Sequence, residues 1–94
     1  FQLGRAESYA IPTRDAVSTA KAPKAIGPYS QGIKAGDFVF TAGQAGVDPA
    51  TGKLVEGGVA EQTRQVLNNI QAILEAEVER LARIISSLEE LRDL

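Results

Sequence analysis

The 94 residues contain no cysteine, histidine, methionine or tryptophan. Without cysteine there is no disulfide, no thiol nucleophile and no thiolate metal site. Without histidine there is no imidazole base and no His-ligated zinc, haem or copper. Any catalysis must rest on hydroxyls, carboxylates, Lys, Arg, Tyr or backbone amides. Neither sign of charge dominates: ten Lys/Arg stand against twelve Asp/Glu, a net charge of −2. No basic block is present, so nucleic-acid binding has no electrostatic footprint. No apolar run approaches the roughly 20 residues of a membrane span. The opening residues lack the charged, apolar and small-residue order of a secretory signal, which points to the cytoplasm or an organelle matrix. The chain begins at Phe1 and holds no Met, the pattern of a processed product or a fragment.

Glycine, proline and aromatics are missing from one end only. All nine Gly, all four Pro, both Tyr and all three Phe lie within residues 1–58. The two parts also differ in charge: six Lys/Arg against five Asp/Glu, then four against seven. The first part reads as strands and turns, the second as helix. Phe1–Arg14 has no sustained period and reads as an arm, so residues 1–15 form a flexible N-terminal block. Ala16–Ala20, Ser30–Ala35 and Phe38–Ala42 read as strands, the last two joined at Gly36-Asp37 as a hairpin. Pro23 and Pro28 bracket an irregular segment. Asp48-Pro49-Ala50-Thr51-Gly52 is a turn in which Asp48 or Thr51 bonds locally.

From Val59 onward the apolar steps are three and four, the period of a helix. Leu67, Leu74, Leu81 and Leu88 take one heptad position; Ile70, Ile84 and Leu91 take another, with Glu77 interrupting the second series. Glu77–Arg80 and Glu79–Arg83 have ion-pair spacing. Thirty-six helical residues would span about 54 Å, far beyond a compact body of this length, whose radius of gyration is about 12 Å. Two outcomes follow. The helix projects and pairs with another helix, or it breaks near Ala76–Glu77 or Ser86-Ser87. The leucine series is correspondingly either a core-facing stripe or an oligomerisation seam.

One stretch is more specific. Ile26-Gly27-Pro28-Tyr29-Ser30-Gln31, Ala42-Gly43-Gln44, Asp48-Pro49-Ala50-Thr51-Gly52, Gln62-Thr63 and Leu67-Asn68-Asn69-Ile70 occur in the order and spacing of the RidA/YjgF family. Over residues 17–76 the chain resembles the N-terminal half of such a protein. The resemblance implies an α+β fold of short antiparallel strands followed by a long helix. This is the first half of a chorismate-mutase-like subunit that assembles as a homotrimer with clefts between subunits. The chain adds a non-family amphipathic helix at 77–94. The implied activity is hydrolysis of reactive enamines and imines, such as 2-iminobutanoate and 2-iminopropanoate, to 2-oxo acids and ammonia, with no cofactor.

Carried over by position, Tyr29 matches the family's cleft tyrosine and Gly43 its ligand-side glycine. Ala42 stands where the family has a serine. The arginine that grips the substrate carboxylate belongs to the family's later part, and none of Arg64, Arg80, Arg83 or Arg92 has its strand context. The resemblance thus implies a deaminase whose activity is impaired. The alternative is a non-enzymatic chain, truncated, fused or engineered, that self-associates through Leu67, Ile70, Leu74, Leu81, Ile84, Leu88 and Leu91. Residue by residue, Tyr29 is either a turn anchor or a cleft residue, and Asp37 and Asp48 read as turn caps. Asn68-Asn69 mark either a contact across a subunit boundary or plain exposure. No carboxylate set converges as a metal site requires.

Overall fold

The computed structural model describes residues 14–93. Strands β1 (Arg14–Val17), β2 (Gly32–Ala35) and β3 (Phe38–Thr41) form one antiparallel sheet in the order β1-β2-β3. One helix, α1 (Val59–Arg92), follows. The α+β reading and the order of elements hold. Most of the expected arm, residues 1–13, lies outside the described residues, but Arg14 and Asp15 belong to β1.

The strand limits differ slightly from the sequence reading. β1 stops at Val17 rather than Ala20, β2 begins at Gly32 rather than Ser30, and β3 stops at Thr41 rather than Ala42. Past β1 the Thr19 amide turns to the Gln31 side chain. Past β3 one more rung follows in register, the Ala42 amide donating to the Gln31 carbonyl. The hairpin is as expected. Ala35 pairs with Phe38, and Gly36 between them has φ +59°, the positive value that a two-residue hairpin loop needs at its first position.

Alternation along the strands gives the sheet two faces. Ala16, Ile33 and Phe40 lie in one cross-strand row, and Val17, Gly32 and Thr41 in the next. The second row, with buried Val39, faces α1. The core is Val17, Ala22 and Ile73, with Ala72 and Ala76 packed against it. Gly32 is what lets the helix lie so close. A Cβ there would stand 2.8 Å from Ile73 Cγ2 and 3.1 Å from the Phe40 carbonyl oxygen. On the opposite face Ile33, Phe38 and Phe40 are exposed, the two rings 6.1 Å apart.

The face of α1 turned to the sheet is Asn69, Ile73 and Glu77, spaced at one helical turn. This departs from the leucine series. Leu74 is one residue, hence about 100°, around from Ile73 and is only half-buried, while Leu67 is exposed. The core stripe therefore contains two polar residues that sequence periodicity does not count as core.

Neither expected break occurs: α1 runs unbroken through Ala76–Glu77 and Ser86-Ser87. No Gly or Pro interrupts it. The Glu77 carboxylate is buried but accepts two bonds from the Arg80 fork, Nε at 2.9 Å and Nη2 at 2.6 Å. That bonding holds the Arg80 guanidinium above its ordinary pKa. Ser87 Oγ donates to the Arg83 carbonyl at 3.0 Å, a bond within the helix that accommodates serine. Glu79 and Arg83 form no ion pair among the described residues. At its start, the Glu61 carboxylate accepts the Gly58 amide at 2.9 Å, which also places negative charge at the positive end of the helix dipole.

The helix therefore outruns the body. The molecule measures 53 × 27 × 22 Å with a radius of gyration of 15.9 Å, and a 34-residue helix accounts for about 51 Å of the long axis. Among the described residues no helix is long and apolar enough to cross a membrane.

Candidate functional site

Two irregular segments, 18–31 and 42–57, meet at one end of the sheet. Neither belongs to the sheet, so part of the backbone bonding in each comes from side chains. Gln31 closes the first. Its Oε1 accepts the Thr19 amide at 2.6 Å, and its Nε2 is shared among the carbonyls of Thr19 at 3.0 Å, Ala22 at 3.1 Å and Pro23 at 2.8 Å. Asn69 anchors the second from the helix. Its Nδ2 donates to the carbonyls of Val47 at 3.0 Å and Ala45 at 3.3 Å, while its Oδ1 accepts Gln65 Nε2 at 2.8 Å.

Beyond that anchor the chain makes a small hairpin of its own. Val47 bridges Leu54, and the Val55 amide donates to the Gly46 carbonyl. Asp48 is the turn cap its sequence suggested: Oδ1 accepts the Ala50 amide at 2.8 Å. Thr51 also bonds locally, its Oγ1 accepting the Lys53 amide at 3.2 Å.

Between the two segments lies a cavity of about 320 Å³ whose lining includes Lys24, Tyr29, Gln31, Gly43, Gln44 and Pro49. Tyr29 and Gly43, fourteen positions apart in the chain, thus share one cavity. A larger and more open hollow of about 630 Å³ lies alongside, with Lys24, Tyr29, Gln31 and Pro49 also on its wall. Tyr29 is 51% exposed, and its phenol oxygen accepts the Ile26 amide at 3.4 Å. That bond uses an oxygen lone pair and leaves the phenol hydrogen to donate elsewhere. Tyr29 thus fastens the 26–29 turn, as the anchor reading expected, and also lines the cavity. Ala42, in place of a serine, adds no hydroxyl beside Gly43.

The other candidates lie away from this end. Arg64, Arg83 and Arg92 are exposed, Arg80 is engaged by Glu77, and among the described residues no arginine lines either cavity. Ile70, Leu74 and Leu81 are half-buried on the flank of α1. Ile84, Leu88 and Leu91 are exposed on its projecting end, the last two at 60% and 64%. Asn68 is exposed, while Asn69 is an anchor within the subunit, an outcome neither reading of the pair anticipated. Gln31 was visible in the motif but carried no assigned role. The available signal was a glutamine closing a segment bracketed by prolines.

The family model described as Endoribonuclease L-PSP matches residues 19–87, running past Ala76 into the second half of α1. A RutC family protein of Pyrococcus horikoshii is 52% identical over 81 residues, 86% of this chain and 64% of that protein. The 2-iminobutanoate/2-iminopropanoate deaminases of Bos taurus and Homo sapiens are 56% and 52% identical over 63 residues, 67% of this chain and 46% of each relative. Among solved structures, RidA from an Antarctic Psychrobacter superposes with a TM-score of 0.64 at 48% identity, covering 67% of this chain and 50% of that one. The E. coli YjgF gene product gives 0.62 at 47% identity, covering 66% and 48%. The chain thus spans between about half and two-thirds of the length of these relatives.

Proposed function

The chain belongs to the endoribonuclease L-PSP family, the group that includes RutC and RidA proteins, and from that premise we propose that it forms one wall of a cleft that hydrolyses small 2-imino acids. The observation that carries the reading is the meeting of Tyr29 and Gly43 on one cavity, in a chain more than half identical over 63 residues to two named 2-iminobutanoate/2-iminopropanoate deaminases. In the reaction, water adds to the C=N carbon, the tetrahedral adduct expels ammonia, and a 2-oxo acid remains. Such chemistry needs hydrogen-bond donors placed around a polar carbon more than it needs a strong base. The Tyr29 phenol and the amides about Gly43 are donors of that kind, and Tyr29 orients the substrate or its water.

The test is release of 2-oxobutanoate from freshly generated 2-iminobutanoate. Turnover above the buffer rate is expected, falling about tenfold or more in Tyr29→Phe, the scale of one lost transition-state donor. Release at the buffer rate by the unaltered protein would remove the enzyme reading, and an unchanged rate in Tyr29→Phe would remove the tyrosine from it. On the same reading the working unit is a homotrimer, and the exposed apolar residues of one sheet face, Ile33, Phe38 and Phe40, are the surface that supports covering by another subunit.

A second reading has its own observation. The projecting end of α1 exposes Ile84, Ile85, Leu88 and Leu91, an apolar stripe that suits self-association. Sedimentation of Leu88→Glu beside the unaltered chain tests it. Loss of concentration-dependent association supports a helix seam, and unchanged association removes it.

A further inference from the structure

We infer that the overhanging end of α1 pairs antiparallel with the same segment of a second copy, an inference that rests on the self-association reading and adds the direction of the pair. The phase of the helix comes first. At about 100° per residue, Ile84, Leu88 and Leu91 all fall within about 40° of Glu77. Ile73 and Glu77, on that same line, are the residues buried against the sheet. The exposed stripe is thus the sheet-facing stripe of the first part, carried on beyond the sheet. The sheet gives out near Arg80, which lies within electrostatic reach of Asp15 in β1. From Ala82 to Asp93 every residue is exposed.

Because sheet and stripe share one face, a parallel partner does not fit. To meet the stripe, its own residues 66–77 would have to run through the space that this copy's sheet fills. An antiparallel partner fits, with its helix end directed at the sheet and its body beyond Arg92. Ile84 then stands opposite the partner's Leu88, and Leu81 opposite the partner's Leu91, about a two-fold axis near Ser86. Charge favours the same direction. Arg80 and Arg83 stand at the start of the overhang, and Glu89, Glu90 and Asp93 at its end. Parallel copies would set the acidic ends side by side, whereas antiparallel copies set each against the partner's arginines. Arg83 and Glu90 lie on one flank, about 20° apart in phase, so they face one another across the axis. A shallow hollow of about 320 Å³ on that flank, lined by Arg80, Arg83, Ile84, Ser87 and Leu88, is open to the partner's side chains. From Leu81 to Leu91 the seam is about 15 Å long. It falls short of a standard interface, so the pair dissociates on dilution.

The experiment is a spin-label distance measurement on the full chain at high concentration, beside sedimentation. The sequence has no cysteine, so Glu79→Cys and Ser86→Cys each give one label site. Both residues are exposed, and both lie at least about 160° around the helix from Glu77, so neither label touches the seam. Only distances lost in Leu88→Glu count, which sets aside any assembly through the sheet. Antiparallel pairing puts two Ser86 labels level with one another and two Glu79 labels about 21 Å apart along the axis, so the 79–79 distance should exceed the 86–86 distance by at least about 5 Å. Equal distances mean parallel pairing and overturn the inference while the self-association reading stands. An association that Leu88→Glu abolishes without any change in the label distances overturns it as well. A mass indifferent to concentration removes both the inference and the reading beneath it, and leaves the stripe to a different protein.

Discussion

Two buried neutral amides, Gln31 and Asn69, hold backbone that lies outside the three strands. Asn69 is fully buried, and both ends of its side chain are bonded, Nδ2 to the Val47 and Ala45 carbonyls and Oδ1 to Gln65. Asn69→Ala should cost about 2 to 3 kcal/mol, because it strips donors from two carbonyls and leaves a hole. Urea unfolding followed by circular dichroism gives the value, and a change below about 0.5 kcal/mol would contradict the anchor role. At this scale the sequence was partly legible. Asp48 capped its turn and Gly36 turned its hairpin because both tasks are local and leave a local signature. Asn69 and Gln31 were not legible in their roles, because each bonds backbone far away in sequence, and nothing within a few residues of either reveals where that backbone will be.

At the scale of the element, α1 is two helices in one. Its first part is held by the sheet through Asn69, Ile73 and Glu77. Past Leu81 every described residue is exposed. An isolated helical end of about a dozen residues is marginal in water, so the two parts should differ in local stability. Amide exchange by mass spectrometry at low protein concentration should show residues 82–91 exchanging at least about tenfold faster than 66–77. Uniform protection at every concentration would mean that the end is covered by something else. The helix itself was readable from its period and from the absence of Gly and Pro. Which side faces the sheet was not. Periodicity ranks residues by hydrophobicity, and the contact line here contains an asparagine and a glutamate made tolerable by partners that only the fold supplies.

At the scale of the molecule, the small sheet covers one face with α1 and leaves the other bare. Ile33 and Phe40 stand opposite one another across β2 and β3, with Phe38 beside them, and Phe40 is 60% exposed. A two-layer body this thin gains stability by covering that face. Light scattering is expected to give three times the 10.0 kDa chain mass, falling to the single-chain mass in Phe40→Lys. A single-chain mass for the unaltered protein would contradict the proposed trimer. If Phe40→Lys dissociates the protein but Leu88→Glu does not, the sheet face rather than the helix is the seat of assembly.

The two amide anchors have a consequence for the cavity between them. Gln31 and Asn69 set the positions of both segments that line it, and neither side chain gains or loses a proton in water. The spacing these two anchors hold is therefore indifferent to pH. One fastening of the walls differs in kind: the Asp48 carboxylate accepts the Ala50 amide beside Pro49. A change of shape with pH would begin at that turn and not at the anchors.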